Sequence, residues 1–280
     1  MKFAINTLLW TAGFDQSHLA LLPRIREWGF DGVEIARFEF DSFPVADIRQ
    51  ALEKADLKAI FCSALTGDTS LVSEDSAIRT KALELLRKGI ATTAELGAST
   101  FVGPFCAPVG YLPGRRRTED EWKRAVEGLQ LLGPMLDSYG INLAIEPLNR
   151  FETYFLNTVN DAVRLCEQVG HARTGILFDT FHANIEEKDI GRALAECGQH
   201  LKHVHTCEND RGIPGTGHVA WREVFEAMQS IGYDSWVSIE SFGARIPEIA
   251  AAACIWRDLA PTSDAIASEG VQFLKKMHTA

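Results

Sequence analysis

Four near-repeats of one phrase narrow the architecture of this chain more than any other feature: Trp28-Gly-Phe-Asp-Gly-Val-Glu34, Leu96-Gly-Ala-Ser-Thr-Phe-Val102, Tyr139-Gly-Ile-Asn-Leu-Ala-Ile-Glu146 and Ile231-Gly-Tyr-Asp-Ser-Trp-Val237. Each is the end of a helical stripe, a glycine cap and the start of a short apolar run of strand type. A chain that keeps returning from helix to strand in this way builds a parallel sheet from βα units. The pattern predicts strands over 3–9, 31–36, 57–63, 99–103, 141–145, 174–178, 201–205 and 235–240. It predicts helices over 17–28, 45–55, 75–96, 118–139, 158–169, 190–197 and 221–231, with Thr118 and Glu121 forming a capping box, and an extra C-terminal helix over 264–277. Eight such units without a composition break fit a closed (β/α)8 TIM barrel, class α/β, as a single domain over 1–280. An open dinucleotide-binding sheet would want Gly-x-Gly-x-x-Gly after an early strand, and the chain has none.

The charge balance excludes several partner classes. The formal net charge is -10 and the only basic run is Arg115-Arg116-Arg117, so neither nucleic acid nor an anionic membrane finds a clustered cationic surface. No apolar run approaches the roughly 20 residues of a membrane span. The six cysteines lack a Cys-x-x-Cys pair, which points to reduced, mostly buried thiols rather than a disulfide framework or zinc ribbon. Met1-Lys-Phe-Ala-Ile-Asn6 enters a strand at once, without the regions of a signal peptide, and a cytoplasmic protein is the expectation.

Chemistry concentrates at four strand ends. The run 141–145 stops on Glu146, Gly175-Ile-Leu-Phe stops on Asp179, Lys202-His-Val on His205, and Trp236-Val-Ser-Ile on Glu240. In a barrel the C-terminal strand ends share one mouth, so residues from strands five to eight converge on half of it. Three carboxylates and an imidazole suit Mn2+, with Co2+ or Mg2+ as alternatives, and the absence of thiolates argues against structural zinc. A divalent cation would also offset the repulsion among the carboxylates. A single strand-end carboxylate is more often a solvated or hydrogen-bonded group; four ligand-type side chains at consecutive ends are not. His203 lies on the same strand face as His205 but deeper, as a core or supporting histidine. Glu34, ending strand two, is either a support to the site or simply hydrogen-bonded.

At Glu146 with Asn149-Arg-Phe-Glu152, at Asp179-Thr-Phe-His182-Ala-Asn184, at His205 with Arg211, and at Glu240, the chain resembles the ketose 3-epimerase family within the xylose-isomerase-like barrels. The resemblance spans nearly the whole length. It implies that Glu146, Asp179, His205 and Glu240 hold a metal, that Glu146 and Glu240 are also the catalytic acid/base pair, and that Glu152, His182 and Arg211 contact substrate oxygens. It implies a small-molecule ketose as substrate and a homo-oligomer, dimer or tetramer. The chemistry agrees: the C3 hydrogen of a ketose is acidified by the C2 carbonyl, and inversion needs two bases on opposite faces of an enediolate. Ser241 stands where proline is expected, and the 104–117 loop departs from the family's aromatic segment. Trp10, Phe105, Phe181 and Phe242 are candidate pocket walls or ordinary core. His182 and Arg211 are expected on loops beyond the strand ends. Ile255-Trp-Arg-Asp258 could pack a dimer or fold back on its own chain. Competing readings are an aldose-ketose isomerase, a hydroxypyruvate isomerase, an inosose dehydratase, an endonuclease-IV-like repair enzyme, and a non-catalytic sugar-binding barrel.

Overall fold

The structure, a computed structural model, describes residues 1–243 and 246–279. Eight parallel strands close in the order of the chain: β1 Lys2–Asn6, β2 Gly32–Ala36, β3 Lys58–Cys62, β4 Thr100–Gly103, β5 Asn142–Ile145, β6 Thr174–Asp179, β7 Leu201–His205 and β8 Trp236–Ile239. β8 returns to β1 with Lys2 opposite Trp236 and Ile5 opposite Ile239. Around them run α1 Leu21–Trp28, α2 Val45–Lys54, α3 Ser76–Glu95, α4 Glu119–Gln130, α5 Gly133–Tyr139, α6 Val159–Val169, α7 Thr180–Glu186, α8 Ile190–Cys197, α9 Trp221–Ser230, α10 Pro247–Ala252 and α11 Ser263–Thr279. This is a (β/α)8 TIM barrel with an extra C-terminal helix.

Two-residue periodicity divides every strand between two cores. Phe3, Ile5, Phe61, Phe101, Leu143, Ile145, Ile176 and Phe178 face the helices and are buried against them. Ala4, Ile60, Val102, Ala144, Leu177 and Trp236 alternate with those and fill the barrel. One step further along the same inward rows stand Asn6, Ser238 and the imidazole of His205, all buried. The same parity carries Glu146 above Ala144, Asp179 above Leu177, and Glu240 above Ser238, so the apolar plug gives way to a polar layer at the C-terminal mouth.

The elements differ from the sequence expectations where proline or a side-chain cap intervenes. Helix 17–28 begins only at Leu21, after a 3-10 turn at Gln16–His18, because Pro23 would collide with the carbonyl of Leu19. The helix expected over 118–139 breaks after Gln130 for the same reason, Pro134 lying four residues on. β1 stops at Asn6, whose side chain accepts from the Leu8 N–H and turns the chain into a 3-10 helix. Two short helices, α7 and α10, were not anticipated. α7 follows β6 without a connecting loop because Asp179, the last strand residue, is also its N-cap and accepts from the Phe181 N–H at 2.7 Å. His182 is therefore in a helix and not on a loop, and both His182 and Arg211 are buried. Gly103 ends β4 at φ +146, with the Ser63 carbonyl 1.8 Å from where a Cβ would stand, so only glycine fits there. Among the described residues no helix is long and apolar enough to cross a membrane.

Candidate metal centre and substrate pocket

Glu146, Asp179, His205 and Glu240 each place one ligating atom within 4.8 Å of the others, and all four side chains are buried. The Nδ1 atom of His205 lies 3.8 Å from Glu146 Oε1, 3.8 Å from Asp179 Oδ2 and 3.5 Å from Glu240 Oε2. Glu146 Oε1, Asp179 Oδ2 and His205 Nδ1 are buried without a hydrogen-bond partner among the described residues. Buried polar atoms rarely go unsatisfied, and three converging on one point fit a cation between them. The oxygen-rich donor set with one imidazole fits a divalent ion of the Mn2+ class.

The electrostatics reflect this crowding. Burial, with Glu240 beside it, holds the Glu146 carboxyl well above its ordinary value. Burial also pushes Asp179 and Glu240 upward, but the nearby Arg211 and histidines outweigh it and leave both lowered. Burial works to lower His205, yet the charges of Glu34 and Glu240 carry it well above the usual imidazole range. A divalent cation would replace that proton and relieve the repulsion at Glu146.

Around the cluster stand the other predicted residues. His182 accepts from the Asn149 backbone N–H at its Nδ1, 3.0 Å away, so the neutral ring carries its proton on Nε2. Burial keeps this histidine below its ordinary value and hence neutral. Its Nε2–H points to within 3.5 Å of Glu146 Oε1, and the Arg211 Nη2 at 3.2 Å is a neighbour rather than a hydrogen-bond partner, both groups being donors. Arg211 lies flat between Phe181 and Phe242, its guanidinium carbon 4.2 and 4.4 Å from the two ring centres, and donates to Glu240 at 2.8 Å. Glu152 accepts from the Asn149 side chain at 2.8 Å. Thus all seven predicted site residues meet around one pocket mouth.

The pocket, about 160 Å³, is bounded on the chemical side by Glu146, Glu152, His182, Arg211 and Glu240. Its outer wall is Leu8, Phe38, Val109, Phe242 and Ile249. Of the expected aromatic walls Phe242 serves as one, and Phe181 acts through Arg211. Trp10 stacks on Trp28 and Phe105 packs on Phe101, both outside the pocket lining. Ser241 is buried and its hydroxyl donates to the Arg211 carbonyl. Ile255 is buried while Trp256 is exposed.

Sequence reasoning missed three supporting residues. Asn6 donates to Glu34 Oε1 at 2.7 Å, and Asn149 orients both His182 and Glu152. Glu208 accepts from the Gly215 and Val219 backbone N–H groups and from Trp221 Nε1, closing the loop that carries Arg211. A polar residue at an inward position of an apolar strand was the available signal for Asn6; for the two loop residues only tertiary contact reveals the role.

A family model described as "Xylose isomerase-like TIM barrel" matches residues 22–277. A "Probable ketose 3-epimerase" of Synechocystis sp. is 36% identical over 278 residues, covering 99% of this chain and 97% of that one. An "L-ribulose 3-epimerase" of Mesorhizobium japonicum is 30% identical, covering 98% and 93%. The crystal structure of a D-allulose 3-epimerase from Methylomonas sp. in complex with D-allulose superposes with a TM-score of 0.93 at 30% identity, covering 99% and 97%. With its barrel, its mouth and these likenesses taken together, the chain belongs to the ketose 3-epimerases of the xylose isomerase-like TIM barrel family.

Proposed function

We propose that this isomerase is a divalent-metal-dependent ketose 3-epimerase acting on a free ketose, with Glu146 and Glu240 as its acid/base pair. The convergence of Glu146, Asp179, His205 and Glu240 at the base of a sugar-sized pocket carries the reading. These four would hold the ion, Mn2+ first and Co2+ or Mg2+ as alternatives. When bound, it would supply Lewis acidity to the oxygens flanking the reacting carbon.

The chain's own groups do the rest. The C2 carbonyl acidifies the hydrogen on C3. One glutamate takes that proton, leaving an enediolate, and the other returns a proton to C3 from the opposite face. Glu146 follows β5 and Glu240 follows β8, so they reach the pocket from different sides of the mouth. His182 Nε2–H and the Arg211 guanidinium donate to sugar oxygens where negative charge accumulates, and Glu152 accepts from a hydroxyl. Among the described residues that line the pocket, Arg211 is the only basic one other than His182, and it is paired with Glu240. We assign the enzyme to the cytoplasm as a dimer or tetramer: its cysteines are free, and Tyr111, Leu112 and Phe151 are exposed apolar side chains.

Incubation of D-fructose, D-tagatose and L-ribulose in D2O tests the reading. Deuterium should enter C3 with little at C1, giving the D-psicose/D-fructose or D-tagatose/D-sorbose pair. Glu146→Gln and Glu240→Gln should each lose turnover, since an amide accepts no proton. An aldose product or C1 label would mark an aldose-ketose isomerase, loss of water a dehydratase, and epimer without C3 label would refute the two-base route.

A further inference from the structure

Beneath the four proposed ligands lies a second buried layer that the epimerase chemistry leaves unused. Glu34, the third residue of β2, is fully buried inside the barrel. Its Oε1 accepts from His205 Nε2 at 2.8 Å and from Asn6 Nδ2 at 2.7 Å, and its Oε2 accepts from His203 Nε2 at 2.7 Å. Asn6 spans onward to Glu240 Oε1 at 3.4 Å. A carboxylate is costly to bury away from water, and three side-chain donors offset that cost at one point. The arrangement has a direction. With Nε2 of His205 donating to Glu34, Nδ1 is the nitrogen turned toward Glu146, Asp179 and Glu240, and it has no hydrogen-bond partner among the described residues.

We propose that Glu34 is a positioning residue that fixes the Nε2–H tautomer and ring orientation of His205, so that Nδ1 is the nitrogen presented to the ion. His203 and Asn6 anchor it, and Asn6 extends the same support to Glu240. This rests on the metal reading above. A carboxylate behind a ligating imidazole also raises its basicity, and loss of such a partner typically weakens metal affinity about 10–100-fold. The alternative is a carboxylate that merely holds β1, β2 and β7 together.

Mn2+ titration of chelator-stripped wild type and Glu34→Gln, read as a dissociation constant by electron paramagnetic resonance, separates these. Glutamine keeps the volume and an acceptor oxygen but removes the charge. Affinity should fall at least about tenfold, while the thermal midpoint of the metal-free variant stays near wild type. Equal affinity in the two proteins would overturn the proposal and leave the metal reading standing; a wild type that binds no Mn2+ would overturn both. If the variant does not fold, nitrogen-15 histidine spectra of wild type loaded with Zn2+ decide instead. His205 should carry its proton on Nε2 with Nδ1 shifted by the metal, and a proton on Nδ1 would refute the assignment.

Discussion

Arg211 shows how much of this site is held by its neighbours rather than by its own preferences. It sits at φ +61, a conformation unfavourable for a side chain of its size, and stays there because the surroundings determine it from several sides. Its N–H donates to the Glu208 carbonyl at 2.9 Å, its carbonyl accepts from the Ser241 hydroxyl, and its guanidinium is fixed between two phenylalanines. Such a planar fork, pre-oriented, loses little freedom when it meets substrate. Ser241→Ala should therefore leave the fold and the Mn2+ dissociation constant unchanged while removing an anchor worth about 1 kcal/mol, so kcat/KM should fall roughly fivefold. Full retention of kcat/KM would show that the hydroxyl does not steady the arginine. The ligand-type residues were legible in the sequence because each ends a period-two run, and parity alone turns them inward. His182 and Arg211 were legible only by resemblance, and their burial was not, since nothing local reveals that Phe181 and Phe242 will close over a cation.

At the scale of elements, caps and breakers decided what the sequence disclosed. Thr118 and Glu121 form the expected capping box at the start of α4, each side chain answering the other's backbone N–H. The structure adds that Arg115 donates twice to Glu121, at 2.8 and 3.0 Å, and the Tyr154 hydroxyl once at 2.8 Å. The Arg115 hydrogen bonds outweigh burial and lower the Glu121 carboxyl from 4.5 to about 2. The stability this contributes is fully present above the unfolded value and is lost as pH falls through the folded one. Glu121→Gln should cost about 1–2 kcal/mol at pH 7, and urea midpoints should show that deficit shrinking between pH 4.5 and pH 2. A deficit that is constant with pH would mean the charge contributes nothing. α7 stayed hidden because Asp179 serves as strand end, helix cap and proposed ligand at once, leaving no turn residues to announce a helix. The break between α4 and α5 was readable from Pro134, but the apolar pattern on either side runs through it.

For the whole molecule, the decisive fact is that the proposed ligands come from β5, β6, β7 and β8 while the supporting layer under His205 comes from β1, β2 and β7. An ion at that point would tie the half of the mouth carrying the carboxylates together, and the underlying Glu34 would tie that half to the other. Without the ion, the native state keeps three buried carboxylates and a buried imidazole close together, with three of their polar atoms unpartnered among the described residues. The unfolded chain can hydrate all of them, so an ion that binds only the folded barrel adds stability as RT ln(1 + [L]/Kd), about 2.7 kcal/mol at a hundredfold excess over Kd. Calorimetry of chelator-treated protein should accordingly show a midpoint several degrees below that of protein refilled with Mn2+, and turnover should vanish and return in step with it. His205→Asn should abolish that increment, because the set loses its only nitrogen donor while its carboxylates remain crowded. Identical midpoints with and without Mn2+, together with full turnover in stripped protein, would mean that the four strand ends converge for a purpose other than holding a cation.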